Sequence, residues 1–242
     1  MVNRMWRQGD GVEIELDRVA VDGRHGPMLT PTSLRLRSGE RMLVVGEPGH
    51  GHTALALAAT GRLRASSGTV LLDGRSVTSR RVERALRAAT AVVDVPGVSE
   101  PYEALPLRTL VAEELGLAGH RAYPRDVEAW LVAHDRLADA GRRVELLPAA
   151  VRTAVLTELA ASRAGVGALV LTLPDRHGGH PREWWALAAD LARRGFAVLV
   201  QCTPAAAGLL GVEPAGPGAD PAHSPLVVAL HEQLCSPSEE SA

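Results

Sequence analysis

The chain has 242 residues, with 26 basic against 28 acidic side chains, a formal charge of −2 and a hydrophobic fraction of 46%. All 26 basic residues are arginine, which excludes mechanisms that need a side-chain amine: Schiff-base chemistry, a lysine general base and a phosphate-binding lysine. The near-neutral balance argues against a nucleic-acid binder with its concentrated basic face, and the apolar fraction argues against wholesale disorder.

In chain order, Val12–Leu16 alternates as a half-buried strand, Leu34–Leu36 reads as a short strand, and Met42–Val45 as a buried one. After the loop 46–51, Thr53–Thr60 reads as a helix that stops at Gly61. Val70–Leu72 and the Asp73-Gly74 turn suggest a strand and a hairpin. Val82–Ala89 reads as a helix and Ala91–Val95 as a buried strand ended by Pro96-Gly97. Leu107–Leu117, Asp126–Leu137 and Pro148–Arg163 carry apolar residues at helical spacing. Ala168–Leu171 is a buried-type strand, Glu183–Arg194 an amphipathic helix and Phe196–Val200 the next strand. From 211 to 224 the Pro, Gly and Ala content predicts a linker, followed by a short strand or helix at Leu226–Leu234 and an acidic tail. Strands alternating with helices predict an α/β fold with a mostly parallel sheet.

Cys202 and Cys235 fit no metal or redox spacing, and Cys202 reads as a buried small apolar residue. The first 17 residues hold no apolar core of a signal peptide, and no run has the ~18 apolar residues of a membrane span. A cytoplasmic protein, peripheral on the inner face of the plasma membrane through a partner, is the expectation.

The most informative segment is Gly46-Glu47-Pro48-Gly49-His50-Gly51-His52-Thr53, set between a buried strand and a helix. It matches the P-loop pattern G-x-x-x-x-G-K-[ST] except that His52 replaces lysine. Glycines let backbone N–H groups converge on a phosphate, and the helix N-terminus adds its positive end. Thr53 is the candidate magnesium ligand, and Gly46 to Thr53 with Ala54 are the candidate nucleotide-binding residues. A histidine carries the missing charge only when protonated.

The stretch GEPGHGHTALALAATGRLRASSGTVLLDGRSV resembles the front of an ATP-binding cassette (ABC) transporter ATPase, and SLRLRSGERMLVVG is similar to that family's lead-in strand. VVDVPGVSE followed by TLVAEEL resembles the Q-loop region of actinobacterial members. The resemblance covers about residues 12–205. It implies a P-loop NTPase cassette over 1–210, with N-terminal antiparallel strands, a mostly parallel sheet and a reduced helical subdomain at about 100–160. Residues 211–242 then form a linker and tail.

Carried across, the resemblance places the Walker A lysine on His52, with the hydroxyl kept as Thr53. The Q-loop glutamine falls on Gly97, and the signature LSGGQ on Leu147-Pro148-Ala149-Ala150-Val151 with Arg152 trailing. The magnesium aspartate and catalytic glutamate of Walker B fall on Thr172 and Leu173, and the switch histidine on the region Gln201-Cys202-Thr203. No aromatic residue stands between Trp6 and Tyr102 to stack an adenine. Without a carboxylate at 172 the metal loses its anchor, and without an acid at 173 nothing polarises the attacking water. No catalytic residue is carried over. ATP and Mg2+ remain the implied ligands, bound weakly or not at all.

Two readings within the family stay open. One is a hydrolysis-impaired nucleotide-binding subunit docked on a multi-pass membrane permease, as a homodimer or beside an intact cassette. The other is a regulatory or scaffolding pseudo-ATPase that binds no nucleotide. A P-loop enzyme of another kind is disfavoured by the missing carboxylate and lysine. Among bland features, Asp175, His177 and His180 read as a solvated loop in place of the family's D-loop, and Arg80, Arg81, Arg84 and Arg87 as a solvated helix face. Of Trp184 and Trp185, one is expected in the core and the other at the surface.

Overall fold

The N-terminal strands β1 (Glu13–Gly23) and β2 (Gly26–Arg37) form one long antiparallel hairpin. Its inward residues are Ile14, Leu16, Leu34 and Leu36, all buried. On the outer face, Arg35 pairs with Glu15 at 2.6 Å and Arg37 with Glu13 at 2.6 Å, directly across the strands. These exposed pairs contribute only about 0.2–1 kcal/mol each. The structure is a computed structural model that describes residues 11–212 and 227–230. The predicted linker and tail, and Cys235, lie outside the described residues apart from 211, 212 and 227–230.

Both hairpin strands run well past the expected ends. The alternation in β1 stops at Leu16 because Arg18 adopts φ 46 and the register with β2 shifts there, so Val19 and Val21 are buried on a new phase. In β2, Pro27 and Pro31 mask a strand from a sequence reading, yet β2 is an edge strand, where a missing N–H is tolerated. With β4 (Ser67–Leu72) and the short β5 (Arg75–Ser76) the hairpin completes a sheet ordered β2-β1-β4-β5.

The second sheet is parallel, ordered β6-β7-β8-β3-β9. Its strands are β3 (Arg41–Val45), β6 (Thr90–Val93), β7 (Ala168–Thr172), β8 (Ala197–Cys202) and β9 (Val227–Ala229). Continuous apolar runs such as MLVV and ALVL form it because both faces are covered. Met42, Val44, Val170 and Leu199 face the hairpin and helix α1 (His52–Ala59). Leu43, Val45, Leu171 and Val200 face the other layer. That layer holds α3 (Leu107–Leu117), α4 (Pro124–Ala133), α5 (Ala149–Ala161), α6 (Pro181–Arg193) and α7 (Pro204–Leu210). Helix α2 (Arg80–Ala89), capped by the Ser79 hydroxyl, leads into β6. The segment expected as strand or helix near 226–234 is a strand over its described part. Helix α7 was not expected from its small residues, although Thr203 caps it and Pro204 opens it in the favoured first position.

Candidate functional site

The glycine loop lies at the C-terminal edge of the parallel sheet, between β3 and α1. Gly46 is tied to β8 by its N–H to the Cys202 carbonyl at 3.1 Å, and a Cβ on it would meet Leu230 Cβ at 2.9 Å. Gly51 takes φ 90 at the helix start, and a Cβ there would meet the Met28 carbonyl at 2.4 Å. Glycine is therefore required at both ends of the loop by packing alone. Glu47, Pro48 and Gly49 form its exposed tip, His50 and Thr53 are half-buried, and Ala54 is in the core. His50 Nδ1 stands 3.3 Å from both the Glu47 N–H and the Leu230 carbonyl, so either tautomer has a partner.

His52 is buried, and its Nε2 is 2.9 Å from the Gly46 carbonyl. A carbonyl only accepts, so Nε2 carries the hydrogen. Burial lowers the His52 pKa below the ordinary histidine value, against the Gly46 bond and the Asp175 charge, which raise it. The ring is then neutral near pH 7 and its Nδ1 is a buried lone pair without a partner. Gln201, fully buried in β8, donates from Nε2 to the His52 carbonyl at 2.8 Å, while its Oε1 is unpartnered. Thr172 pairs with Gln201 across β7 and β8 and is also buried with an unpartnered hydroxyl.

Leu173 follows in the left-handed region at φ 47 and donates its N–H to the Gln201 carbonyl. Asp175 does not lie in a solvated loop. It belongs to a 3-10 turn at Pro174–His177, and its Oδ2 accepts from the Thr203 hydroxyl at 2.6 Å and N–H at 3.1 Å. His177 is likewise turned inward, its Nε2 2.8 Å from Asp94 Oδ2. His180 alone of the three is exposed, as the cap of α6. The arginine face of α2 is also only partly solvated, since Arg87 pairs with Glu83 and donates to the Gly61 carbonyl at 2.6 Å. Trp184 is buried and Trp185 lies half-buried under Arg41, 4.1 Å from the ring centre. Burial and the Asp175 charge push the Cys202 thiol up to about 12, so it is inert as a nucleophile.

The structure brings His52, Thr172, Leu173 and Gln201 to one sheet edge, whereas Gly97 is exposed on the loop after β6. Magnesium with nucleotide takes hard oxygen ligands including carboxylate. Here the strand end offers a hydroxyl, an amide oxygen and an apolar side chain, the nearby carboxylate of Asp175 is tied through Oδ2 to Thr203, and the loop's inward nitrogen is an acceptor. These residues do not fit a magnesium–nucleotide complex poised for hydrolysis.

A cluster that residue spacing did not reveal lies beside this edge. Asp94 and Arg152 form a buried pair, with Glu103, Arg176 and Glu100 around them. Nothing in the sequence signals it, because its central partners stand 58 positions apart.

The family model described as ABC transporter matches residues 29–150, half of the chain. A 77-residue stretch is 39% identical to the Hemin import ATP-binding protein HmuV of Myxococcus xanthus (strain DK1622), covering 31% of this chain and 29% of that protein. The chain thus matches less than a third of the length of that curated relative. Among solved structures, a nucleotide-free ATP-binding cassette from an ABC transporter superposes with TM-score 0.58 at 17% identity, over 79% of this chain and 81% of that one. The cbiO1 protein of Clostridium perfringens, described as part of the ABC transporter complex cbiONQ, gives 0.59 at 17% identity, over 78% and 77%. At these identities the structures establish the fold, an α/β cassette with one antiparallel and one parallel sheet.

Proposed function

The chain belongs to the ABC transporter family, and from that premise we propose that it is a cassette subunit that docks on a membrane permease and does not hydrolyse ATP. The observation that carries this reading is the shared edge itself. His52, Thr172 and Leu173 stand where the family resemblance puts a lysine and two carboxylates, and none supplies a fixed charge. Phosphoryl transfer depends on a positioned phosphate, a metal and an oriented water acting together. The chain's own groups contribute a glycine loop and a helix N-terminus toward the phosphate, the Thr53 hydroxyl toward a metal, and no acid at 173 toward the water.

Docking is supported by Val98 and Tyr102, which expose 54% and 73% of their surface on the loop after β6. No helix among the described residues is long and apolar enough to cross a membrane, so membrane attachment in this reading comes from the partner. Turnover comes from an intact cassette paired with this one. The HmuV relative is named for hemin import, and a small-molecule import system is the corresponding reading here.

A second reading, a scaffold that binds no nucleotide, is favoured by one observation: the His52 ring already fills the hydrogen bond to Gly46 inside the loop. Titration with fluorescent ATP, with and without magnesium, separates the two. Binding, above all binding that magnesium strengthens, supports the first reading and contradicts the scaffold, and no binding supports the scaffold and contradicts the first reading.

A further inference from the structure

Three segments distant in sequence meet in one buried ionic cluster. Asp94 closes β6 in the left-handed region at φ 56 and is 7% exposed. Arg152, in the first turns of α5, is 3% exposed and grips Asp94 with two bonds, Nε to Oδ2 and Nη2 to Oδ1, both 3.0 Å. Its remaining nitrogen, Nη1, donates to Glu103 at 2.9 Å. Arg176, from the turn after β7, stands 3.0 Å from Asp94 Oδ1 and 3.3 Å from Glu100, and donates to the Thr172 carbonyl at 2.8 Å. Asp94, Glu100 and Glu103 all belong to one loop, the segment that joins β6 to α3.

A bidentate guanidinium–carboxylate pair fixes distance and angle together, and in a dry site its bonds are stronger than in water. Burial would raise the Asp94 pKa, but the Arg152 bonds and the Arg152, Arg176 and His177 charges override it, so the carboxylate stays ionised. The loop after β6 contains Gly97 where the family resemblance places a glutamine that contacts magnesium and the permease side, and Gly97 itself is exposed. The loop is therefore anchored to protein charges rather than to the glycine-loop site.

We propose that the Asp94–Arg152–Arg176 cluster is a clasp that holds the 94–106 loop and α5 in one fixed placement against the edge of the parallel sheet, whatever the state of the glycine loop. This goes beyond the functional reading above and is testable without any permease. Hydrogen exchange of the full chain, read by mass spectrometry, measures it segment by segment. In Arg152→Lys, which keeps the charge but loses the fork, amides of 94–106 and the start of α5 exchange about tenfold faster or more, while β1, β2 and α1 are unchanged. Glu103→Gln, at the solvent rim, folds normally and speeds exchange in 100–106 alone. It keeps the test open if the first variant does not fold. Adding ATP and magnesium to the natural chain leaves the same amides unchanged. Exchange in the folded variants equal to that of the natural chain, or a nucleotide-dependent change at 94–106, overturns the clasp. Phosphate release from the same samples tests the hydrolysis reading separately.

Discussion

In the glycine loop the His52 imidazole donates from Nε2 to the Gly46 carbonyl at 2.9 Å, bridging the two ends of the loop from inside. A lysine at this position would carry a permanent charge on a longer arm. Restoring it alone, in His52→Lys, is expected to tighten ATP binding at about pH 8 by roughly ten- to a hundredfold, the worth of one charge-assisted bond to phosphate. It is not expected to produce turnover, because Thr172 and Leu173 still lack carboxylates. Binding titration and phosphate release on one sample check both halves, and hydrolysis by this single variant would show that turnover does not need a carboxylate at 172 or 173.

Removing Arg152 takes the bidentate partner from a buried Asp94 and leaves it with Arg176 and His177 alone. Arg152→Ala is expected to cost about 3–5 kcal/mol, measured by urea unfolding. The double variant Asp94→Leu with Arg152→Met should cost much less than the two single changes added together, since neither member of the buried pair is left without the other, while Arg176 keeps Glu100 and Glu103 faces solvent. Additive losses would mean that the two residues are not coupled.

Acid is expected to weaken the fold in two stages. Burial lowers the pKa of His52, against the Gly46 bond and Asp175, and that of His177, against Asp94. In each case the unfolded chain binds the proton more readily, so stability is full above the ordinary histidine value of about 6.5 and falls as pH drops through it. Asp94 is also depressed, so its contribution is present above about pH 4 and is lost below that, through its lowered folded value. Thermal unfolding midpoints should drop between about pH 7.5 and about pH 5.5, and His177→Gln should flatten that slope. A midpoint that rises on acidification contradicts the assignment.

Two glycines give a controlled comparison. Gly68 has φ 77 and a Cβ on it would lie 2.1 Å from the Arg18 carbonyl, whereas Gly74 has φ 72 and open space around it. Gly74→Ala should cost about 1 kcal/mol from backbone strain, and Gly68→Ala at least about 2 kcal/mol because the β1 bulge must also move. Equal losses in urea would mean the bulge yields freely.

The parallel sheet was legible in the sequence because its strands are buried on both faces and read as unbroken apolar runs, from Met42–Val45 to Ala197–Val200. The glycine loop was legible because strand, glycines and helix are contiguous. The hairpin was half hidden: a positive φ at Arg18 resets the alternation, and two edge-strand prolines imitate a loop. The inward turn of Asp175 and His177 was not legible, since polar residues near glycines read as solvated until Thr203 and Asp94 are brought to them by the fold. The Asp94–Arg152 pair has the same origin, being a product of β6 and α5 packing together.

Phosphate release from ATP by the purified chain with magnesium, measured alone and in membranes with the proposed permease partner, decides whether this chain hydrolyses ATP. The expected result is no release above the protein-free blank from this chain's own site. Turnover of about 1 s⁻¹ or faster, the ordinary range of enzymes, that survives when any partner cassette is absent would contradict it.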